Sequence, residues 1–226
     1  MKVRTSSVVA ACALVVMLGP AAAAEGNPEP AVTGLTEAPA STTAPAAINI
    51  NYIQYGVAFT GEFVTSPGPL CDSVPAGKPA PPCILGSGGG VAVRVGWRSA
   101  GPWLFGGAYE LSKQSPNSLY RLAILQQLRG EARYYIHTGR DTTPYLSGGG
   151  GFAGYGNEGG LDTLGFAAFA SIGTETQISR RTVFGVGLAY RLLYLQGYQD
   201  PAGNDRAAGV SQMLGFDLLL EARDPL

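Results

Sequence analysis

From Tyr120 to Ile136 the chain alternates between two classes of residue. Tyr120, Leu122, Ile124, Leu128, Ala132, Tyr134 and Ile136 take even positions, interrupted by Gln126 and Gly130, while Arg121, Gln127, Arg129, Glu131 and Arg133 take odd ones. A period of two puts successive side chains on opposite faces and specifies a β-strand. At about 3.3 Å per residue the run is roughly 55 Å long, well beyond the usual strand of about 5–6 residues. A long strand that is apolar on one face and charged on the other suits a transmembrane β-barrel, with lipid outside and a polar lumen inside.

The first residues point to export. Lys2 and Arg4 form a short basic segment, Val8 to Leu18 is apolar, and Ala22-Ala23-Ala24 is a small-residue cleavage site, which predicts a signal peptide over 1–24. The apolar run is too short to cross a bilayer as a helix. Residues 25–46 are rich in Pro, Ala, Thr and Glu without a period, and read as a disordered periplasmic linker. Residues 47–226 remain for one barrel domain.

Composition agrees with a lipid-facing surface. Charged residues make up 14% of the chain, against about 25% in soluble domains. Taking Lys2 and Arg4 from the 15 basic residues leaves 13 against 16 acidic, with no basic stripe for nucleic acid. Small barrels use glycine where strands bend or where large neighbours fill the interior, and this chain has 33. Cys12 leaves with the signal. Cys71 and Cys83 lie in one Pro/Gly-rich loop of an exported chain, which predicts a disulfide; free thiols or a metal site is the alternative.

Eight strands can be placed: Ile48–Val64, Gly89–Arg98, Trp103–Ser112, Leu119–Ile136, Tyr145–Tyr155 (diluted by Gly148 to Gly151), Thr163–Thr176, Val183–Leu195 and Val210–Arg223. Their connections alternate. Loops near 65–88, 112–118, 155–163 and 196–209 face tighter turns at 99–102, 137–144 and 179–182. Short turns on one side and longer loops on the other are the habit of outer-membrane barrels. Trp97, Trp103, Tyr134 and Phe184 fall at short-turn ends, and Tyr109, Tyr120, Tyr194 and Tyr198 at long-loop ends. Two rows of amphipathic rings are expected as girdles at two membrane interfaces.

On these residues the chain resembles the small eight-stranded outer-membrane barrels of the outer membrane protein A/X type, over roughly residues 48–223. The resemblance implies an all-β, eight-stranded antiparallel up-and-down transmembrane barrel in the outer membrane of a Gram-negative bacterium. It also implies contact with outer-membrane lipid and with the barrel assembly machinery. The final strand would carry the assembly signal through Gly215, Leu218 and Leu220. Met213 stands where a polar residue is usual, and Ala222 to Leu226 replace the usual terminal aromatic.

Candidate chemistry is sparse. Gly154-Tyr155-Gly156-Asn157-Glu158-Gly159 matches the dinucleotide pattern G-x-G-x-x-G, but a strand follows where that site needs a helix. His137, the one histidine, falls in a periplasmic turn, the wrong height for a Ser–His pair of an outer-membrane lipid hydrolase or acyl transferase. Asp200, Asn204 and Asp205 lack the spacing of a calcium loop. No catalytic residue, cofactor or metal is assigned.

The inward charges are more informative. An eight-stranded barrel is just wide enough for side chains to fill, so lumen charges must pair. Arg94, Arg121, Arg129, Arg133 and Arg191 are expected to face Glu62, Glu110, Glu131, Glu175, Asp217 and Glu221, with Arg121 directly opposite Glu110. The leading expectation is a non-enzymatic outer-membrane protein whose loops serve adhesion, envelope integrity or binding of an unknown extracellular ligand. A small passive pore is the alternative. A lipid-modifying enzyme follows, and then a soluble lipocalin-like periplasmic barrel, which would need the opposite placement of charges.

Overall fold

The computed structural model describes residues 50–71, 83–114, 120–137 and 141–226, with backbone only at residues 69 and 70. The signal peptide expected at 1–24 and the linker expected at 25–46 lie outside the described residues.

Alternating sequence becomes eight long strands because each can bury one face and expose the other. They are β1 (Tyr52–Ser66), β2 (Gly88–Arg98), β3 (Trp103–Gln114), β4 (Ala123–Tyr135), β5 (Thr142–Asn157), β6 (Thr163–Gln177), β7 (Thr182–Leu195) and, after a small hairpin of β8 (Tyr198–Gln199) and β9 (Asp205–Arg206), β10 (Gly209–Pro225). Every barrel strand pairs antiparallel with its chain neighbour, and β1 pairs with β10, so the sheet closes and has no free edge. Residues 99–102, 136–141 and 178–181 turn at one end. Residues 67–87, 115–122, 158–162 and 196–208 connect at the other. The first of these long connections opens with a short 3-10 helix, Gly68–Cys71, and Cys71 is bonded to Cys83.

The two faces of the wall are chemically opposite. Phe59, Val93, Leu128, Phe152, Ile172 and Leu188 point outward, each more than half exposed. Arginines, glutamates and glutamines point inward and are buried. Inward glycines make room for what fills the lumen: a Cβ on Gly149 would stand 2.9 Å from the ring of Phe169. Outward Gly130 is different, with nothing nearer than 3.9 Å to such a Cβ.

Two expectations about β4 are corrected. The expected start at Leu119 lies outside the described residues, and the strand runs for 13 residues from Ala123, after Tyr120, Arg121 and Leu122. The pairing of β3 with β4 sets Glu110 opposite Gln127 and Tyr109 opposite Leu128. Arg121 therefore never reaches the lumen. It is 87% exposed in the connection before β4, where its guanidinium pairs with Glu158 at 3.3 Å. The chain leaves the wall at Gln114 and returns at Ala123, so the alternation over 120–122 belongs to a loop.

Candidate functional site: the lumen and its long-loop mouth

The register brings inward charges from seven strands into two networks. Towards the short-turn end, Glu131 on β4 takes Arg94 from β2 and, at 3.0 Å, Arg133. Arg133 also reaches Glu175 and Glu221, both at 3.4 Å. Glu175 on β6 gathers Arg98 at 3.3 Å and Arg223, and accepts from the Tyr135 hydroxyl at 2.8 Å. Tyr135 in turn lies beneath the Arg98 guanidinium, 3.4 Å from ring centre to charge, a cation–π contact. Nearer the long-loop end, Arg191 on β7 holds Glu62 at 2.7 Å, Glu110 at 2.8 Å and Asp217 at 2.9 Å. Arg129 adds a second contact to Glu110 at 2.6 Å. Gln114 donates to Glu62 at 2.6 Å.

The networks together set six arginines, Arg94, Arg98, Arg129, Arg133, Arg191 and Arg223, against Glu62, Glu110, Glu131, Glu175, Asp217 and Glu221. Balance of this kind is what burial demands, because an unpaired charge in a dry lumen is costly. Arg98 and Arg223 take the balancing places in which Arg121 was expected. Both were overlooked because they sit at strand ends, yet both share the inward parity of their strands. A void between Gln54, Arg94, Leu104, Glu131 and Arg133 has room for about one water molecule.

Above the charges the lumen turns apolar. Ala123, Leu125, Ala153, Tyr155, Ala167, Leu193, Leu195 and Met213 point inward near the long-loop ends of β4, β5, β6, β7 and β10. Into this ring the described end of the disulfide loop inserts Ile84 and Leu85, which are 0% and 4% exposed. The Tyr155 hydroxyl donates to the Ile84 carbonyl at 2.5 Å. Tyr120 closes the other side. Expected in an outer girdle, it is instead buried, edge-on to Tyr155 with ring centres 5.6 Å apart, and its hydroxyl is 2.9 Å from that of Tyr198. Burial pushes the Tyr198 hydroxyl up to about 12 and raises that of Tyr120 as well, so both stay protonated hydrogen-bonding groups. Tyr198, a second loop-end girdle candidate, is drawn into the same cluster because an apolar mouth offers it more burial than the rim.

The remaining girdle candidates lie on the outer face. Trp97, Trp103, Tyr134 and Phe184 are exposed towards the short-turn end, with Trp103 edge-on to Tyr134 at 5.0 Å. Tyr109 and Tyr194 belong to one row across five strands, Tyr109, Leu128, Phe152, Phe166 and Tyr194, each opposite the next. Met213 is buried in the apolar cluster of the mouth, directly opposite Arg191.

Other sequence candidates fall apart from these networks. Gly154 to Asn157 end β5, and Glu158 and Gly159 form a turn with φ of 52° and 89° before β6. His137 is exposed just after β4. Asp200 organises the β8–β9 hairpin: it accepts from the amides of Ala202 at 3.0 Å and Asn204 at 2.9 Å, and from Arg206 at 2.7 Å. Burial works to raise its carboxyl, but the Asn204 amide and Arg206 outweigh that and hold it below its ordinary value. Among the described residues no group of three His, Cys, Asp or Glu is placed to hold a metal ion.

No protein-family model matches the chain, and no curated protein matches its sequence. Solved structures similar to it include Neisserial surface protein A, with 15% identity, 78% of this chain and 97% of that one covered, and a TM-score of 0.49. The outer membrane protein OprG from Pseudomonas aeruginosa is similar at 12% identity, with 77% and 96% covered and a TM-score of 0.47.

Proposed function

We propose that the chain is a non-enzymatic outer-membrane barrel that crosses the bilayer with its eight long strands and meets the outside with its longer connections. One observation carries this reading: large apolar side chains cover the outer wall, from Phe59 and Phe63 on β1 through Val93, Phe105, Phe152, Ile172 and Leu188 to Leu220, while twelve arginine and carboxyl side chains are turned inward. In water that arrangement would leave a very large apolar surface exposed. In lipid it is the favourable one. The short turns then face the periplasm and the 67–87, 115–122, 158–162 and 196–208 connections face outward, where they serve adhesion, envelope integrity or partner binding. Cell fractionation tests the placement. The protein should appear with outer membranes and should migrate differently on gels before and after boiling; recovery in the soluble periplasm would overturn it.

The filled lumen argues against the pore alternative. Paired side chains occupy it along its length, and Ile84, Leu85 and Tyr120 occupy the mouth.

A further inference from the structure

The apolar mouth is an unusual end for a lumen that is otherwise charged. Five strands each bring at least one buried apolar side chain inward at that level, among them Leu125, Leu193, Leu195 and Met213, and Val64 of β1 packs against them. Such a ring, facing water, needs apolar matter to cover it. Cys83, Ile84 and Leu85 cover one side of it, and Tyr120 and Tyr198 the other. The seat of Cys83, Ile84 and Leu85 on the wall is slight in polar terms: the Tyr155 hydroxyl to the Ile84 carbonyl. Their firmer tie is covalent. Cys83 is bonded to Cys71, which ends the 3-10 helix, and that helix is anchored to β10 because Ser211 Oγ donates to the Pro67 carbonyl at 2.6 Å.

We propose that this mouth is a binding vestibule for a free long-chain amphiphile such as a fatty acid, that Ile84–Leu85 occupies it as the chain's own substitute for that ligand, and that the Cys71–Cys83 bond is the latch that keeps the substitute in place. The chemistry of the walls suits the ligand. Below the rim Leu125, Leu193, Leu195 and Met213 give an aliphatic lining, shared with Ser112 opposite Leu125 and Ser211 opposite Leu193 and floored by Arg191 opposite Met213, and at the rim the hydroxyls of Tyr155, Tyr120 and Tyr198 are grouped together. Once Ile84 withdraws, the Tyr155 hydroxyl loses its acceptor and can donate to a carboxylate oxygen. The ladders of β5–β6, β6–β7 and β7–β10 continue unbroken to this height, at Tyr155 with Thr163, Gly165 with Leu195 and Leu195 with Gly209. From β5 round to β10 the wall therefore leaves a bilayer lipid no gap here, and the ligand enters from the water above.

The test labels the vestibule. Ala167→Cys and, separately, Leu193→Cys are made in the full chain with the disulfide intact and again with Cys71→Ser and Cys83→Ser. Each protein is reconstituted in phosphatidylcholine vesicles and treated with a water-soluble maleimide, and its gel mobility before boiling reports that the barrel is folded. With the latch in place labelling should be slow; without it, labelling should quicken by roughly tenfold or more, as for local opening of a protected site. Lauric acid added to the unlatched protein should slow labelling again. Equal rates with and without the disulfide would overturn the latch, and unlatched rates indifferent to lauric acid would overturn the vestibule. Two positions are used so that one poorly folding variant leaves the other to decide.

Discussion

Arg129 reaches Glu110 at 2.6 Å on a diagonal of the β3–β4 pair, because the residue directly opposite Glu110 is Gln127. Diagonal neighbours are within reach of long side chains, so one register yields an ion pair without any two charges standing face to face. The same Glu110 is held from β7 by Arg191, which also carries Glu62 and Asp217.

Arg191 is therefore the more costly of the two to lose. Arg191→Ala leaves three carboxylates with Arg129 as their remaining arginine and should destabilise the barrel by about 3–5 kcal/mol, the range for breaking a buried pair. Arg129→Ala should cost less, since Glu110 keeps Arg191. The double change of Arg129→Ala with Glu110→Ala should cost less than the two singles added together. Arg121→Ala, in an exposed pair, should change stability by at most about 1 kcal/mol. Guanidinium unfolding in lipid vesicles measures all five, the Glu110→Ala single included. A loss for Arg121→Ala as large as that for Arg191→Ala would contradict the register.

The outer wall makes its own prediction. Leu188 is half exposed on the apolar face of β7, and Leu188→Arg should cost about 2–4 kcal/mol if it lies near the bilayer midplane. Gly130→Ala has open space around the new methyl and should be neutral, or stabilising by about 0.4–1 kcal/mol through the unfolded chain. Gly151→Ala would press its methyl into the Leu128 carbonyl and should destabilise by about 1–3 kcal/mol. The order of the three midpoints in one unfolding series is the check.

A lumen filled by paired side chains and stoppered at its mouth should carry no steady ion current. Protein purified in detergent and added to a planar bilayer is expected to give no stable conductance steps, while gel mobility confirms that it is folded. Reproducible steps of constant size would restore the pore reading.

Asp200 sets a pH dependence for the β8–β9 hairpin. Its carboxyl titrates below the ordinary 3.8 because the Asn204 amide and Arg206 outweigh the effect of burial. A lowered folded value means the stabilisation is complete above the unfolded value of about 3.9 and is lost as pH falls through the lower folded one. The Ala202 and Asn204 amides both donate to this carboxylate, so their NMR shifts should move together with a midpoint under 3.8. A midpoint above that value would mean the hairpin does not hold the carboxylate as described.

Period-two alternation decided, from sequence alone, which face of each strand meets which surroundings. Arg129, Glu131 and Arg133 could be assigned inward and Leu128, Leu188 and Leu218 outward, because side-chain parity along a strand is a local property of the backbone. Loop asymmetry and the number of runs were enough to suggest an eight-stranded closed sheet. Register was not legible. It depends on how the 115–122 connection spends its residues, and a loop imposes no parity, so Arg121 and Tyr120 looked like strand residues while lying in a loop. The apolar mouth had a local trace, since Leu125, Leu193, Leu195 and Met213 share the lumen parity without being charged. Nothing local said what would cover them. Only closure of the barrel brings β4, β5, β6, β7 and β10 around one axis, and only then does a distant disulfide loop find in them a place to bury Ile84 and Leu85.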